Sequence, residues 1–410
     1  MQQHIATNKS NSPNTFLYLF ISTIFLMCKN ITFFDSKGIF FIFTKKFFMD
    51  NLINIVSHFI ASDRIERVEP LGEGLINDTY KVYVNDCETP AYVLQRINNN
   101  VFKDVDMLQN NINAVTSHIR GKLIHKGEED LDRKVLRFID TKDGKNYHYD
   151  GEKYWRMMLF VKDSFTCQSV TPEYSYIAGR SFGEFEGYLS DMETPIGEII
   201  PDFHNIEFRL KQLREAVCND AVGRVEDVRQ LIEDIESRAF KMSLGERLYR
   251  EGRLPKRICH CDTKVNNMLF DADGKVLCVI DLDTVMPSFV FSDFGDFLRT
   301  AANTGDEDDK CLENIDFDMA IFKAFTKGYL EGTRDFLLPI EIECLPYAAM
   351  LFPYMQTVRF LADYINGDTY YKIKYPDHNL VRAKAQWRLF ERAEAKEGEM
   401  RDFIENVNQH

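Results

Sequence analysis

Spacings of the Cys-x-x-Cys kind are absent from this 410-residue chain, and its nine cysteines are odd in number and scattered. A disulfide framework and a zinc-finger pattern are thereby excluded, and reduced thiols in a cytoplasmic protein are expected. The adjacent Cys259, His260 and Cys261 do not alter this, because three neighbouring positions cannot all face one metal ion. Positive charge is scarce too: 50 Lys and Arg against 64 Asp and Glu give a net charge of −14. Nucleic acid is therefore not an expected partner. Long apolar runs are missing as well. The stretch Phe16 to Cys28 stops at 13 residues, short of the ~20 that a bilayer-spanning helix requires. No basic start or small-residue cleavage site frames it as a signal peptide, and no membrane partner is expected for the folded core.

Glutamate is absent from residues 1–48, which hold one Asp, five Lys and 10 of the 33 Phe. This break in composition fits AT-rich upstream sequence read in frame, with Met49 as the start. Residues 1–48 are expected to be an extension outside the fold. The chain is 45% hydrophobic, ample for one large or two modest domains with real cores.

What is present is concentrated in Ile258 to Thr284, ICHCDTKVNNMLFDADGKVLCVIDLDT. A loop bearing Asp262 and Asn267 runs into an apolar strand, Met268 to Phe270. A turn at Asp273-Gly274, a strong hairpin signal, leads to a returning strand that ends at Asp281. Folding the hairpin sets Asn267 roughly opposite Val279, so Asp281 lies ~7 Å further along. Three oxygen-bearing side chains therefore converge. Such a cluster suits phosphoryl transfer, in which one carboxylate orients a hydroxyl for attack on the terminal phosphate. Asp262 is the expected carboxylate, and Asn267 and Asp281 the expected Mg²⁺ ligands, a hard cation taking oxygen donors. The alternative for any single one of these residues is a side chain that caps a surface turn.

His260-Cys261-Asp262, then Asn267, then Ile280-Asp281 resembles the catalytic core of the aminoglycoside phosphotransferase-like small-molecule kinases. More narrowly, Asp262-Thr263-Lys264 with VIDLDTVMPSFVFSDFGD is similar to the N-acetylhexosamine 1-kinases, over about residues 50 to 400. One departure is Cys261, where the family usually has Gly between the His and the Asp. The resemblance implies an α+β, two-lobed protein-kinase-like fold, with a β-rich N-lobe over 49–161 and a mainly helical C-lobe over 162–410. It implies ATP and Mg²⁺ as cofactors and transfer of phosphate to the anomeric hydroxyl of N-acetylglucosamine or N-acetylgalactosamine. In TVRFLADYINGDTYYK, Arg359 and Tyr370 match positions that help to hold the sugar. Lys264, two residues past Asp262, and Asp281 are the other expected substrate contacts.

The rest of the chain is read around that core. Gly72-Glu-Gly74-Leu-Ile-Asn77-Asp-Thr79 is a turn between strands where backbone N–H groups, Asn77 and Thr79 can approach phosphate. On the strand Tyr92 to Ile97, the position of a kinase's phosphate-binding Lys reads Gln95-Arg96, and Val101 to Lys126 contains no Glu. Both members of the usual Lys–Glu pair are thus missing, and Gln95 or, in the other register, Arg96 is the expected nucleotide contact. Trp155 to Val161 reads as an apolar strand and Lys162 to Thr166 as the hinge that would receive adenine. Apolar stripes mark helices around Ala178 to Leu189, Ile206 to Val217 and Val225 to Met242. Further helices are expected over Phe294 to Arg299, Phe317 to Leu330, Leu345 to Tyr364 and around Trp387, and Asp306 to Asp309 is expected to be a solvated loop. Two other readings stay open: a kinase of another small alcohol, such as an aminoglycoside, choline or another sugar, and a non-catalytic nucleotide-binding module.

Overall fold

The computed structural model describes residues 51–408 except 73–75, 86 and 169. The N-terminal extension and Gly74 therefore lie outside the described residues. The chain divides into two units, Met1–Asn54 and Ile55–His410. Of the first, residues 51–54 are described and are helical.

The second unit begins with an antiparallel sheet. Strands β1 (Ile65–Pro70), β2 (Asp78–Val84), β3 (Tyr92–Ile97), β4 (Phe138–Ile139), β5 (His148–Tyr149) and β6 (Tyr154–Leu159) lie in the order β1-β2-β3-β6-β4, with β5 also paired to β6. Alternation sends Val68, Tyr80, Val82, Leu94, Trp155 and Met157 inward. The sheet is crossed by helix α1 (Val105–His125), opened by Asp104 Oδ1, which accepts from the Met107 backbone N–H at 2.8 Å. Leu108, Ile112, Val115 and Ile119 form its buried stripe and share one core with Ile97 and Met158 of the sheet and with Phe185 and Leu282. Without a Glu, α1 is docked by the buried Asn111. Its amide donates to Gly197 O at 2.8 Å and to Val285 O at 3.3 Å, and accepts from Gly197 N at 3.1 Å.

After β6 the chain is mainly helical: α2 (Pro172–Leu189), α3 (Ile206–Asn219), α4 (Arg229–Met242), α5 (Leu244–Arg250), α6 (Phe291–Ala301), α7 (Met319–Thr333), α8 (Leu345–Ile365), α9 (His378–Ala395) and α10 (Glu397–Asn408). The axis of this region is α8, buried on all sides among the aromatic core residues Phe294, Phe297, Phe322, Phe325 and Phe390. Among the described residues no helix is long and apolar enough to cross a membrane. Two small sheets interrupt the helices: β7 (Arg257–Cys259) with β10 (Met286–Ser288), and β8 (Met268–Phe270) with β9 (Val276–Val279). In the β8–β9 hairpin Gly274 takes φ 77°, and Met268 stands opposite Val279. Asn267 is thus paired one residue further along than expected, accepting from the Ile280 backbone N–H at 2.9 Å. The expected strand over 155–161 is β6, one residue earlier at its start and two shorter at its end. The expected solvated loop at 306–309 is instead partly an anchor, since Asp308 accepts from the buried His378 Nε2 at 2.8 Å.

The contact of α2 with α7 depends on missing side chains. A Cβ on Gly179 would run into the Phe325 carbonyl oxygen, and one on Gly328 into that of Tyr176, so the two backbones approach more closely than any alanine permits. Gly328→Ala is therefore expected to cost ~1–3 kcal/mol by overpacking. Gly398, which has open space around it, provides the control. Urea denaturation should show a lowered midpoint for Gly328→Ala and an unchanged or raised one for Gly398→Ala; equal midpoints would show that the helices can move apart freely.

Candidate active site

Strand β7 delivers His260, Cys261 and Asp262 into a loop that is held from below by a buried acid. Asp293, in the first turn of α6, accepts from the backbone N–H of His260 at 2.8 Å and of Cys261 at 2.7 Å. Thr263 Oγ1 donates to the Asp293 carbonyl at 2.7 Å, and Thr284 Oγ1 donates to the His260 carbonyl at 2.8 Å. Burial raises the Asp293 carboxyl group, and His260 and the two backbone donors oppose that rise. Cys261 is bent into the left-handed region, at φ 62°. A glycine takes this conformation freely, whereas a side chain costs ~1–2 kcal/mol there. The cost is partly offset because the Cys261 side chain is buried beside Cys259 and Met286. His260 Nε2 donates to the Ile280 carbonyl at 2.9 Å, which leaves Nδ1 to accept from the Asp262 N–H at 3.3 Å. Its ring packs edge-on against Phe182 and Phe185, so His260 fixes the loop rather than facing the cleft.

Asp262 is a quarter exposed. One carboxylate oxygen pairs with Lys264 Nζ at 2.5 Å and the other accepts from Asn267 Nδ2 at 3.2 Å. The same Asn267 nitrogen donates to the Asp262 carbonyl at 2.8 Å, so its amide oxygen is left for a cation. Burial works against the Lys264 charge, but Asp262 and Asp296 outweigh it and hold the ammonium above its ordinary value. Asp281, at φ 60° just past β9, is exposed. The surrounding protein, then the charges of Asp283 and Asp262, push its pKa up to about 6. Asp296 of α6 also rises to about 6, through burial first, and bears on Asp262 and Lys264.

Asp283 is the hub between the sheet and this loop. It is 3% exposed, pairs with Arg156 Nη1 at 2.5 Å through one oxygen and accepts from Asn77 Nδ2 at 2.6 Å through the other. Arg156, 2% exposed, sits on β6 opposite Gln95, and Gln95 sits opposite Thr79. Arg156 donates to Gln95 Oε1 from Nε at 3.0 Å and Nη2 at 2.8 Å, and Gln95 Nε2 donates to Thr79 Oγ1 at 3.2 Å. Asn77 Oδ1 accepts from the Asn98 N–H at 2.9 Å. The buried cation of the sheet is therefore on β6 and not on β3. Arg96, on the other face of β3, pairs with the half-exposed Asp78 instead, so the inward register considered for it is not the one adopted.

Asn77, Thr79 and Gln95 are thus joined through Asp283 and Arg156; Asp262, Lys264 and Asn267 form a second group, and Asp281 feels the charges of both Asp283 and Asp262. Gly72 is exposed in the β1–β2 turn, at φ 68°. Arg359 and Tyr370 make no hydrogen bond with the catalytic loop. Arg359 lies over the rings of Phe203 and Tyr371, at 5.9 and 5.7 Å, and Phe203 packs against Cys259, Cys261 and Met286. Tyr370 is exposed, its ring against Tyr371 at 4.8 Å and its backbone N–H donating to Asp363. Sequence reasoning missed Arg156, a lone charge inside Tyr-Trp-Arg-Met-Met-Leu, and Asp293, just ahead of the helix expected from Phe294.

The donors available around Asp262 are all oxygen atoms, the set that a hard divalent cation takes. They are spread more widely than a closed protein cage, as suits Mg²⁺ that keeps nucleotide phosphates and water in its shell. Among the described residues, the tight cluster of metal-capable groups is elsewhere: Glu186, Cys259 and Asp293, all buried within 4.8 Å of one another. Those groups are already engaged, Asp293 by two backbone donors and Glu186 by Tyr329 Oη at 2.6 Å. Burial and Asp293 raise Glu186 well above the carboxylate range.

Residues 67–330, well over half of the chain, match the family model described as the phosphotransferase enzyme family. The chain belongs to the phosphotransferase enzyme family. Its fold is that of solved family members at low sequence identity. An aminoglycoside phosphotransferase from Alicyclobacillus acidocaldarius superposes with a TM-score of 0.57 at 13% identity, covering 86% of this chain and 96% of that one. A choline kinase from Cryptosporidium parvum gives 0.53 at 14% identity, with 87% and 97% covered. A spectinomycin phosphotransferase, solved with ADP and spectinomycin, gives 0.52 at 13% identity, with 88% and 99% covered. In this phosphotransferase, the strand and loop that meet at Arg156 and Asp283 are expected to depend on each other. Arg156→Met leaves the Asp283 carboxylate buried and should cost ~3–5 kcal/mol. Combining it with Asp283→Asn should cost less than the two single losses together. A double-mutant cycle by chemical denaturation measures this, and simple additivity would show that the pair is not coupled.

Proposed function

We propose that this chain is an ATP- and Mg²⁺-dependent kinase that phosphorylates the anomeric hydroxyl of N-acetylglucosamine or N-acetylgalactosamine. The observation that carries the reading is the constellation around Asp262: a partly exposed carboxylate with Lys264 on one oxygen, Asn267 on the other and Asp281 beyond. The nucleotide reading is supported by relatives of the same fold, one solved with ADP and another, an amicoumacin kinase, with AMP-PNP and Ca²⁺. The sugar reading is supported by Asp262-Thr263-Lys264 and VIDLDTVMPSFVFSDFGD, the wording similar to the N-acetylhexosamine 1-kinases. Those two segments are joined by the Thr263–Asp293 and Thr284–His260 hydrogen bonds.

In this reading Asp262 orients the sugar hydroxyl and takes its proton as the oxygen attacks the terminal phosphate. Asn267 and Asp281 hold Mg²⁺, which when bound with the nucleotide neutralises charge on the phosphate oxygens. Lys264 exchanges its ion pair with Asp262 for the substrate or the transferring phosphoryl group. Gly72, Asn77 and Thr79 face the phosphates, and the Arg156–Gln95 pair fixes that wall. Arg359 and Tyr370 stand on the acceptor side. Arg209 and Arg359, whose hydrogen-bond partners are neutral, would oppose a cationic acceptor such as choline or an aminoglycoside and favour a sugar without an amine.

ATP consumption measured across a panel of small alcohols and sugars tests the reading. Turnover is expected with N-acetylhexosamines, and Asp262→Asn should cut it by ~10² or more while nucleotide still binds. Consumption that no N-acetylhexosamine stimulates would overturn the substrate, and wild-type turnover in Asp262→Asn would overturn the role of Asp262.

A further inference from the structure

The cationic cluster beside the Asp262 loop forms no ion pair among the described residues, although the charge of Asp202 reaches Arg209. Arg209 of α3 donates from Nη2 to the Phe203 carbonyl at 2.9 Å and from Nη1 to Gln212 Oε1 at 2.9 Å. Arg359 of α8 donates to Gln356 Oε1 at 3.1 Å and lies over the rings of Phe203 and Tyr371. Neither guanidinium forms an ion pair with any described residue, in a chain with 64 acidic side chains. Two polar atoms in the same place are shut off from solvent with no partner among the described residues, Arg209 Nε and His204 Nδ1, and Tyr371 Oη, also shut off, has only Gln356 beside it. His204 stacks on the Phe203 ring at 4.3 Å, and Arg209 donates to the carbonyl of the same residue.

Two guanidinium groups held this close without a carboxylate repel each other, and the buried unpaired atoms add a desolvation cost. The strain is visible in the titration of the cluster. Burial, then Arg359, lowers Arg209 to about 10, and burial with Arg359, Arg209 and Arg299 holds His204 well below its ordinary value. A single oxyanion would remove all of these costs together, because planar guanidinium forks match carboxylate, sulfate and phosphate oxygens. The cluster is linked to Asp262 through charges that act on one another, from Lys264 and Asp296 to Arg299 and His204. Half-buried Arg209 and Arg359, with exposed Tyr370 beside them, leave it open to a ligand.

We infer that Arg209, Arg359, His204 and Tyr371 form an oxyanion subsite on the acceptor side, which selects a hexosamine bearing a sulfate, phosphate or carboxylate group. The inference rests on the sugar-kinase reading for the identity of the acceptor, but not for the binding of the anion. A free oxyanion occupying the same residues is the alternative source, and the two are separated by kinetics with acceptors that do and do not carry the group.

Two measurements test it. Titration calorimetry of inorganic sulfate is expected to show binding to the full chain that weakens by about tenfold or more in Arg209→Gln, as expected for loss of a charge-assisted contact, and less in Arg209→Lys. This requires no turnover, so it stands even if the sugar reading fails. Steady-state kinetics should then give a lower KM for N-acetylglucosamine 6-sulfate than for N-acetylglucosamine, with the preference lost in Arg209→Gln and in Arg359→Gln. Sulfate binding that neither substitution changes would overturn the subsite. Sulfate binding that both substitutions weaken, with no preference between the two sugars, would overturn the acceptor assignment and leave a free oxyanion as the ligand.

Discussion

The Arg156–Asp283 ion pair is the contact on which the functional region depends. Both partners are almost wholly buried, and a charge so placed is tolerable only if its remaining hydrogen-bonding capacity is used. Gln95 accepts two of the Arg156 donors, and Asn77 satisfies the second Asp283 oxygen. The result is a line of polar side chains from β2 through β3 and β6 to the segment that follows Asp281. It sets the height of that segment against the sheet, and therefore where the Asp281 carboxylate stands in the cleft. The buried cation of this sheet stands on β6, one strand further on than the position where a Lys is missing, and α1, which has no Glu, docks through the neutral Asn111.

A second buried acid performs the complementary task below the loop. Asp293 spends both carboxylate oxygens on the backbone of His260 and Cys261, which holds the chain in the left-handed bend that aims Asp262 outward. The hydrogen bonds of Thr263 and Thr284 close the same knot. With the backbone so determined, a residue that would be strained in isolation is carried at φ 62°. Cys261 is thereby held in a conformation that glycine adopts freely.

Much of this was legible from residue order. The hairpin around Gly274, the contact of Asp262 with Asn267, and the apolar stripes of α1, α2 and α8 follow from turn chemistry and periodicity, which are local. The family and the two-part α+β fold followed from the same motif. What was not legible is non-local. Arg156 looks like an interruption in an apolar strand until strand pairing puts it opposite Gln95, and its partner is more than a hundred residues away. Asp308 looks solvated in sequence because His378 reaches it from another helix. Arg209 resembles any polar position on an amphipathic helix, and only the packing of α3 near α8 puts it beside Arg359.

The most direct test of the phosphoryl-transfer site is the Mg²⁺ dependence of nucleotide binding. Affinity for AMP-PNP, measured by calorimetry with and without Mg²⁺, should rise with the metal in the wild-type chain. In Asp281→Asn, which keeps the shape and removes a metal-ligating charge, that rise should largely vanish. An equal gain from Mg²⁺ in both proteins would contradict the placement of Asp281 at the metal and, with it, the cleft as the site of transfer.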